Sequence, residues 1–173
     1  VCDKFDRELI KKMKKVSPEY AKLGALAYRQ TVAAHKLCEI DGKMMHRLQT
    51  RMKGMDVFSF GISTAPKSVK KLGEKFGFDY LTYDYFVFHQ ANMKMNQMIN
   101  KKLKLDLEKV PSCMYNFGNT SSASIPLTIV TQLKGKFENK PTKFICCGFG
   151  VGLSWGTVAF ETNNIVISDL VEL

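Results

Sequence analysis

Tryptophan occurs once in the 173 residues, histidine three times and proline five times. The three histidines and five cysteines include no pair at the spacing that holds zinc, so the common zinc modules are excluded and no metal is expected. Five is an odd number, and Cys146 and Cys147 are adjacent within an apolar run, where cysteine behaves as a small hydrophobe. A disulfide framework is therefore not expected, and the reading is a reducing, cytoplasmic compartment. The uncharged run Ile145–Phe160 is rich in glycine and shorter than the roughly 18 residues that mark a membrane-spanning helix. Lys4, Asp6, Arg7 and Glu8 leave no apolar core near the start, so a signal peptide is not expected. Lysine and arginine are missing from residues 145–173, so all 26 bases lie upstream, against 16 acids in the whole chain. That basic surplus implies attraction to something acidic: nucleic acid, an anionic membrane, a phosphorylated cofactor or an acidic protein.

What is present is ordinary for a globular chain of about one domain. It is 45% hydrophobic and 24% charged, which excludes collagen-like, low-complexity and disordered classes. Residues 5–15 read as a short basic helix with Phe5, Leu9, Ile10 and Met13 on one face. Ser17-Pro18 reads as a helix start, with Ser17 as cap. Residues 37–53 lack a clean period and read as irregular or weakly strand-like. Residues 56–76 read as a helix broken near Pro66. Tyr85–Phe88 reads as a buried strand, Asn92–Lys104 as a helix, Cys113–Phe117 as a second strand and Thr120–Lys136 as a helix. Phe144–Cys147 and Leu153–Phe160 read as strands around a glycine-rich turn. This alternation predicts an α/β fold, with a five-stranded mixed sheet and helices on both faces.

On that reading His89 and Asn119 each follow a strand, and Gly148-Phe149-Gly150-Val151-Gly152 follows a third. Side chains at the carboxyl ends of such strands face the crevice where ligands bind. An imidazole, an amide and exposed backbone N–H groups can together stabilise an oxyanion. Each signal alone also has a bland reading. A lone histidine at a strand end is most often structural, Gly-Asn is a common turn, and the glycine run does not fit the dinucleotide fingerprint.

Three motifs taken in order resemble a known family. They are His89-Gln90-Ala91-Asn92, then Gly118-Asn119-Thr120-Ser121-Ser122-Ala123-Ser124-Ile125-Pro126, then Gly148-Phe149-Gly150-Val151-Gly152-Leu153-Ser154-Trp155-Gly156. With Gly54-Met55-Asp56-Val57-Phe58, they resemble the C-terminal half of β-ketoacyl-acyl carrier protein synthase III enzymes of the thiolase superfamily. The resemblance runs from about Met52 to Glu161. It divides the chain into a poorly matched segment at 1–50, a thiolase-like half-domain at 51–162 and an added tail at 163–173.

The resemblance implies an acyltransferase of fatty acid biosynthesis or a related pathway, working as a homodimer in an αβαβα sandwich. Its chemistry is a decarboxylating Claisen condensation between an acyl group from coenzyme A and malonyl-acyl carrier protein, with no further cofactor. The catalytic cysteine of the family lies in the other, N-terminal half. None of Cys2, Cys38, Cys113, Cys146 or Cys147 stands in its context, so this chain alone is expected to be inactive in condensation. His89 and Asn119 match the pair that donates hydrogen bonds to the thioester oxygen during decarboxylation. The backbone N–H of Val151 matches a second oxyanion donor, at a position where the family more often has glycine. Gly54, Phe58 and Asn92 match positions lining the pantetheine tunnel. Lys94, Lys101 and Lys102 match a basic patch that docks the acidic carrier protein. Thr120–Ser124 reads as packing rather than catalysis. The alternative reading is a non-catalytic module binding carrier protein or coenzyme A. Nucleic-acid binding ranks last, because no recognised motif accompanies the basic N-terminal helix.

Overall fold

The computed structural model describes Lys11, residues 37–40, residues 42–46 and residues 52–171. The helix read at 5–15 and the Ser17-Pro18 start lie outside the described residues, Lys11 excepted, which is helical. The chain divides into two compact units, Val1–Met52 and Lys53–Leu173. In the first, β1 (Leu37–Ile40) and β2 (Lys43–His46) form an antiparallel hairpin of their own, with Ile40 opposite Lys43. Gly42 sits in the turn at a φ of 74°, a conformation glycine adopts without strain.

The second unit is built on three strands: β3 (Tyr85–Phe88), β4 (Thr142–Gly150) and β5 (Ser154–Thr162), in the order β3-β4-β5. β3 runs parallel to β4 and β5 antiparallel to it, so the sheet is mixed as expected but has three strands rather than five. One missing strand is the stretch Cys113–Phe117. It forms a helical turn, α3 (Met114–Phe117), closed by Asn116 and Phe117 N–H groups donating to the Cys113 carbonyl. A strand here would place Cys113, Tyr115 and Phe117 on one face. Instead Cys113 is buried, with its Sγ 3.1 Å from Thr128 Oγ1, while Tyr115 is 94% exposed.

Strand alternation sends neighbouring side chains to opposite faces, and each face is covered. Phe86, Phe88, Ile145, Cys147 and Phe149 pack against α1 (Gly54–Phe76) and α2 (Met93–Leu103) through Ala65, Val69, Met95, Ile99 and Leu103. Val87, Phe144 and Cys146 face the opposite way, onto Leu133, Phe137 and Ile167. This second layer comes from a composite helix. It begins as a 3-10 turn at Ser121–Ala123, continues as α4 (Ser124–Thr128) and ends as a π-helical stretch at Ile129–Leu133. The segment read as an added tail contributes to the same layer. Ile165 and Ile167 pack there, and Asp169 ion-pairs with Lys134.

α1 is continuous through Pro66, where the sequence predicts a break. Its buried stripe Gly61, Ala65, Val69, Gly73 has the four-residue spacing of one helical face. Gly61 permits the close approach, since a Cβ there would lie 2.6 Å from Met95 Sδ and 3.0 Å from Phe149 Cε2. Pro66 is buried on this side, and the carbonyl of Ile62, which loses its usual N–H donor to the proline, accepts from Lys102 Nζ at 2.9 Å instead. Gly77, at a φ of 70°, ends the helix, with Phe78 N–H donating back to the Gly73 carbonyl at 3.0 Å.

Candidate functional site

His89 leaves the carboxyl end of β3 still tied to the sheet, its N–H donating to the Cys147 carbonyl at 2.9 Å. Its ring stands edge-on to Phe149 of β4, with centroids 5.5 Å apart. Its Nδ1 lies 2.7 Å from Ser124 Oγ, at the start of α4. Because β3 and β4 are parallel, the turn Val151–Leu153 that follows β4 leaves the same end of the sheet. The sequence reading ends the strand at Cys147 and makes Gly148–Gly152 a loop; the structure instead keeps Gly148–Gly150 paired within β4, so only Val151–Leu153 leaves the sheet, at the end where His89 lies. That turn bends at Gly152, whose φ is 117°. Burial lowers the His89 pKa from its ordinary 6.5, and a backbone hydrogen bond at Ser121 opposes the shift.

Asn119 arrives from α3 and not from a strand, a correction to the reading of three strand ends in a row. Gly118 makes the link at a φ of 64°. Asn119 Oδ1 accepts from Ser121 N–H at 2.9 Å, which leaves the amide NH2 as the outward group. That group donates to the Ala91 carbonyl at 3.4 Å, and Ala91 N–H in turn donates to the His89 carbonyl at 3.0 Å. His89 and Asn119 are thus joined through a single turn of backbone. Beside them the Thr120 hydroxyl is buried with no partner among the described residues.

The remaining predicted residues scatter in role. Asn92 caps α2, its side chain accepting from Met95 N–H at 2.9 Å. Gly54 is the exposed first residue of α1, and Phe58 is half-buried against the core of the α1–α2 face. Lys94 and Lys101 are exposed on α2, while Lys102 is also exposed but bonded to Ile62.

Two buried polar side chains at this site escaped the sequence reading. Ser124 was expected to serve packing and instead contacts the histidine. Gln90, 1% exposed, donates through Nε2 to the Phe88 carbonyl at 2.8 Å and accepts from Ser112 Oγ at 2.7 Å. The only signal for either was its place inside a motif next to a residue already singled out. A hollow of about 290 Å³, lined by Asp84, Tyr85, Glu108, Lys109 and Lys140 among others, lies at the amino ends of β3 and β4, away from this chemistry.

A mixed sheet covered on both faces, with a histidine and an asparagine brought together at its carboxyl end, is the architecture of a thiolase-type half-domain. Residues 74–162 match the family model described as 3-oxoacyl-[acyl-carrier-protein (ACP)] synthase III C terminal, and the chain belongs to that family. It is 36% identical over 121 residues to a beta-ketoacyl-[acyl-carrier-protein] synthase III of Clostridium acetobutylicum, covering 70% of this chain and 37% of that protein. It is 33% identical over 146 residues to a synthase III of Halalkalibacterium halodurans, covering 82% of this chain and 46% of the relative. The crystal structure of a 3-oxoacyl-(acyl-carrier protein) synthase from Burkholderia xenovorans superposes with a TM-score of 0.64 at 40% identity, over 68% of this chain and 34% of that one. The chain thus spans less than half the length of each of these relatives.

Proposed function

We propose that this domain supplies the decarboxylation half of a condensing active site. The substrates are an acyl-coenzyme A thioester and a malonyl thioester on acyl carrier protein, and no further cofactor is needed. The supporting observation is that His89 and Asn119 are held together at the carboxyl end of β3 by the Ala91 turn. Loss of carbon dioxide from a malonyl thioester leaves negative charge on the thioester oxygen. Two N–H donors aimed at that oxygen stabilise the charge as it develops, at about 10²–10³ in rate per donor. The Val151 N–H serves a second oxyanion, that of the acyl carbonyl, with the nucleophilic cysteine coming from the other half of the enzyme. Gly54, Phe58 and Asn92 line the path of the pantetheine arm. Lys94 and Lys101 receive the acidic carrier protein, and Lys102 adds charge beside them. The working assembly is a homo-oligomer in the cytoplasm; among the described residues no helix is long and apolar enough to cross a membrane.

The test is release of carbon dioxide from a malonyl thioester by the purified chain, compared with H89A and N119A. A rate above background that falls about 10²-fold in each variant supports the reading. Equal rates in all three proteins would overturn it. The exposed Lys94 and Lys101 favour a second reading, carrier-protein binding without catalysis. Calorimetric titration with carrier protein that gives heat, alongside no release of carbon dioxide, would select it.

A further inference from the structure

We infer that Gln90 is a positioning residue, the clasp of a closed ring of hydrogen bonds that fixes the Asn119 amide beside His89. Gln90 is 1% exposed, and both ends of its side-chain amide have a partner. The Phe88 carbonyl only accepts, so the NH2 end faces it, at 2.8 Å. The oxygen end then receives the Ser112 hydroxyl, at 2.7 Å. The Gln90 backbone N–H donates to Ser124 Oγ at 3.3 Å. A side chain that only filled this space would be apolar, because a buried amide costs stability unless both its ends are matched.

Ser112 carries the ring onward. Its oxygen accepts from Met114 N–H at 3.4 Å, and the Met114 carbonyl accepts from Gly118 N–H at 2.9 Å. Gly118 delivers Asn119. Ser121 N–H takes Asn119 Oδ1 at 2.9 Å, which turns the NH2 group to the Ala91 carbonyl at 3.4 Å. Ala91 follows Gln90 in the chain, so the ring closes on the residue where it began. The Asn119–Ala91 bond is longer than the roughly 2.7–3.2 Å of a well-made N–H···O contact, so it does not hold the amide alone. Cys113 anchors the same segment to α4 through Thr128. The short Ser112–Gln90 contact ties it to the residue after His89, and so sets where Asn119 stands relative to the histidine. The inference rests on the proposed function only in naming what Asn119 is aimed at, the thioester oxygen. The ring itself does not depend on it.

The experiment follows the Asn119 side-chain NH2 signals in proton–nitrogen spectra of the ¹⁵N-labelled full chain, assigned by their loss in N119A. In S112A and Q90M these signals are expected to shift and their exchange with water to quicken about five- to tenfold, the ratio supported by one hydrogen bond of ordinary net strength. S112T keeps the hydroxyl and is expected to restore the wild-type signals. Y80F removes a hydroxyl 3.3 Å from the Leu103 carbonyl, elsewhere in the same unit, and is expected to leave them in place. Circular dichroism checks folding. Ser112 is exposed, so S112A carries the test by itself where Q90M does not fold. Unchanged Asn119 signals in folded S112A would overturn the inference, as would an equal change in Y80F. Carbon dioxide release is read separately. A kcat lowered about five- to tenfold in S112A with KM unchanged supports the positioning role, and an unchanged kcat with displaced signals would overturn it. A wild type that releases none would remove the proposed function and leave the Gln90-dependent placement of Asn119 standing.

Discussion

Lys102 Nζ donates to the carbonyl of Ile62 at 2.9 Å, and Ile62 is the residue whose usual helical donor is replaced by Pro66. A proline inside a helix removes one N–H and crowds the carbonyl four residues before it, which normally kinks or ends the helix. Here the orphaned acceptor finds an ammonium group from the neighbouring helix, and α1 runs on to Phe76. One lysine therefore links α1 to α2 at the point where α1 is weakest.

K102M is expected to lower stability by about 0.5–1.5 kcal/mol, the net worth of an ordinary hydrogen bond, since water reaches the exposed carbonyl in part. In a P66A background the backbone N–H restored at position 66 would serve Ile62, and the same K102M change is expected to cost much less. Urea unfolding of the four proteins measures the coupling. Additive effects would show that Lys102 does not act through Ile62.

That contact also marks where sequence reading stops. A proline at position 66 is visible in the sequence, but a donor 36 positions later is not, so a break was the natural expectation. Phe86, Phe88 and Ile99 were legible because a buried strand and an amphipathic helix follow local periods. Cys113–Phe117 differs from its reading because five residues of mixed polarity carry no period, and the Thr128 hydroxyl that Cys113 packs against comes from a later element. Residues 37–53 read as irregular or weakly strand-like because two four-residue strands are too short to show a period, yet β1 and β2 pair with each other. The site was legible as His89 and Asn119 through their motifs. Ser124 was not, because a small polar residue among small residues looks the same whether it packs or donates.

Gly61 has no room for a side chain. G61A would press its methyl against Met95, which can swing aside, and against the Phe149 ring, which is itself packed on His89. Overpacking of this kind costs about 1–3 kcal/mol. G54A, at an exposed position with open space around it, is expected to change little. Midpoints of urea unfolding compare the two, and equal midpoints would contradict the close packing of α1.

His89 gives the protein an acid-sensitive term. Its folded pKa lies below the ordinary 6.5 because burial disfavours the cation. As pH falls through 6.5 the unfolded chain takes up the proton first, so stability declines in the window just below 6.5 and levels off beneath the folded pKa. In H89Q this part of the decline is expected to vanish. Melting temperatures of both proteins between pH ~5 and ~7.5 measure it, and parallel curves would count against a half-buried, neutral His89.

The cysteines of the sheet are placed to pack and not to react. Cys146 is buried with its pKa pushed up to about 12, by burial first and by neighbouring Cys147 second. Cys147 is raised to about 11 by burial, although the Thr157 hydroxyl donates to its sulfur at 3.2 Å and offsets part of the rise. The same threonine lies 2.7 Å from Ser68 Oγ, so this sulfur belongs to a polar bridge between α1 and β5. An ordinary thiol near pKa 8.5 is already mostly protonated at neutral pH, and a rise of two units or more lowers the thiolate at least about a hundredfold further. Cys113 is 1% exposed and sits against Thr128. Incubation of the native chain with acetyl-coenzyme A is therefore expected to leave Cys113, Cys146 and Cys147 unmodified, and iodoacetamide to reach them only after denaturation. Peptide mass mapping reads both results. Stoichiometric acetylation of any one of the three in the folded protein, with ketoacyl product formed from malonyl-carrier protein, would place a working nucleophile inside this sheet and overturn the division of labour between two halves.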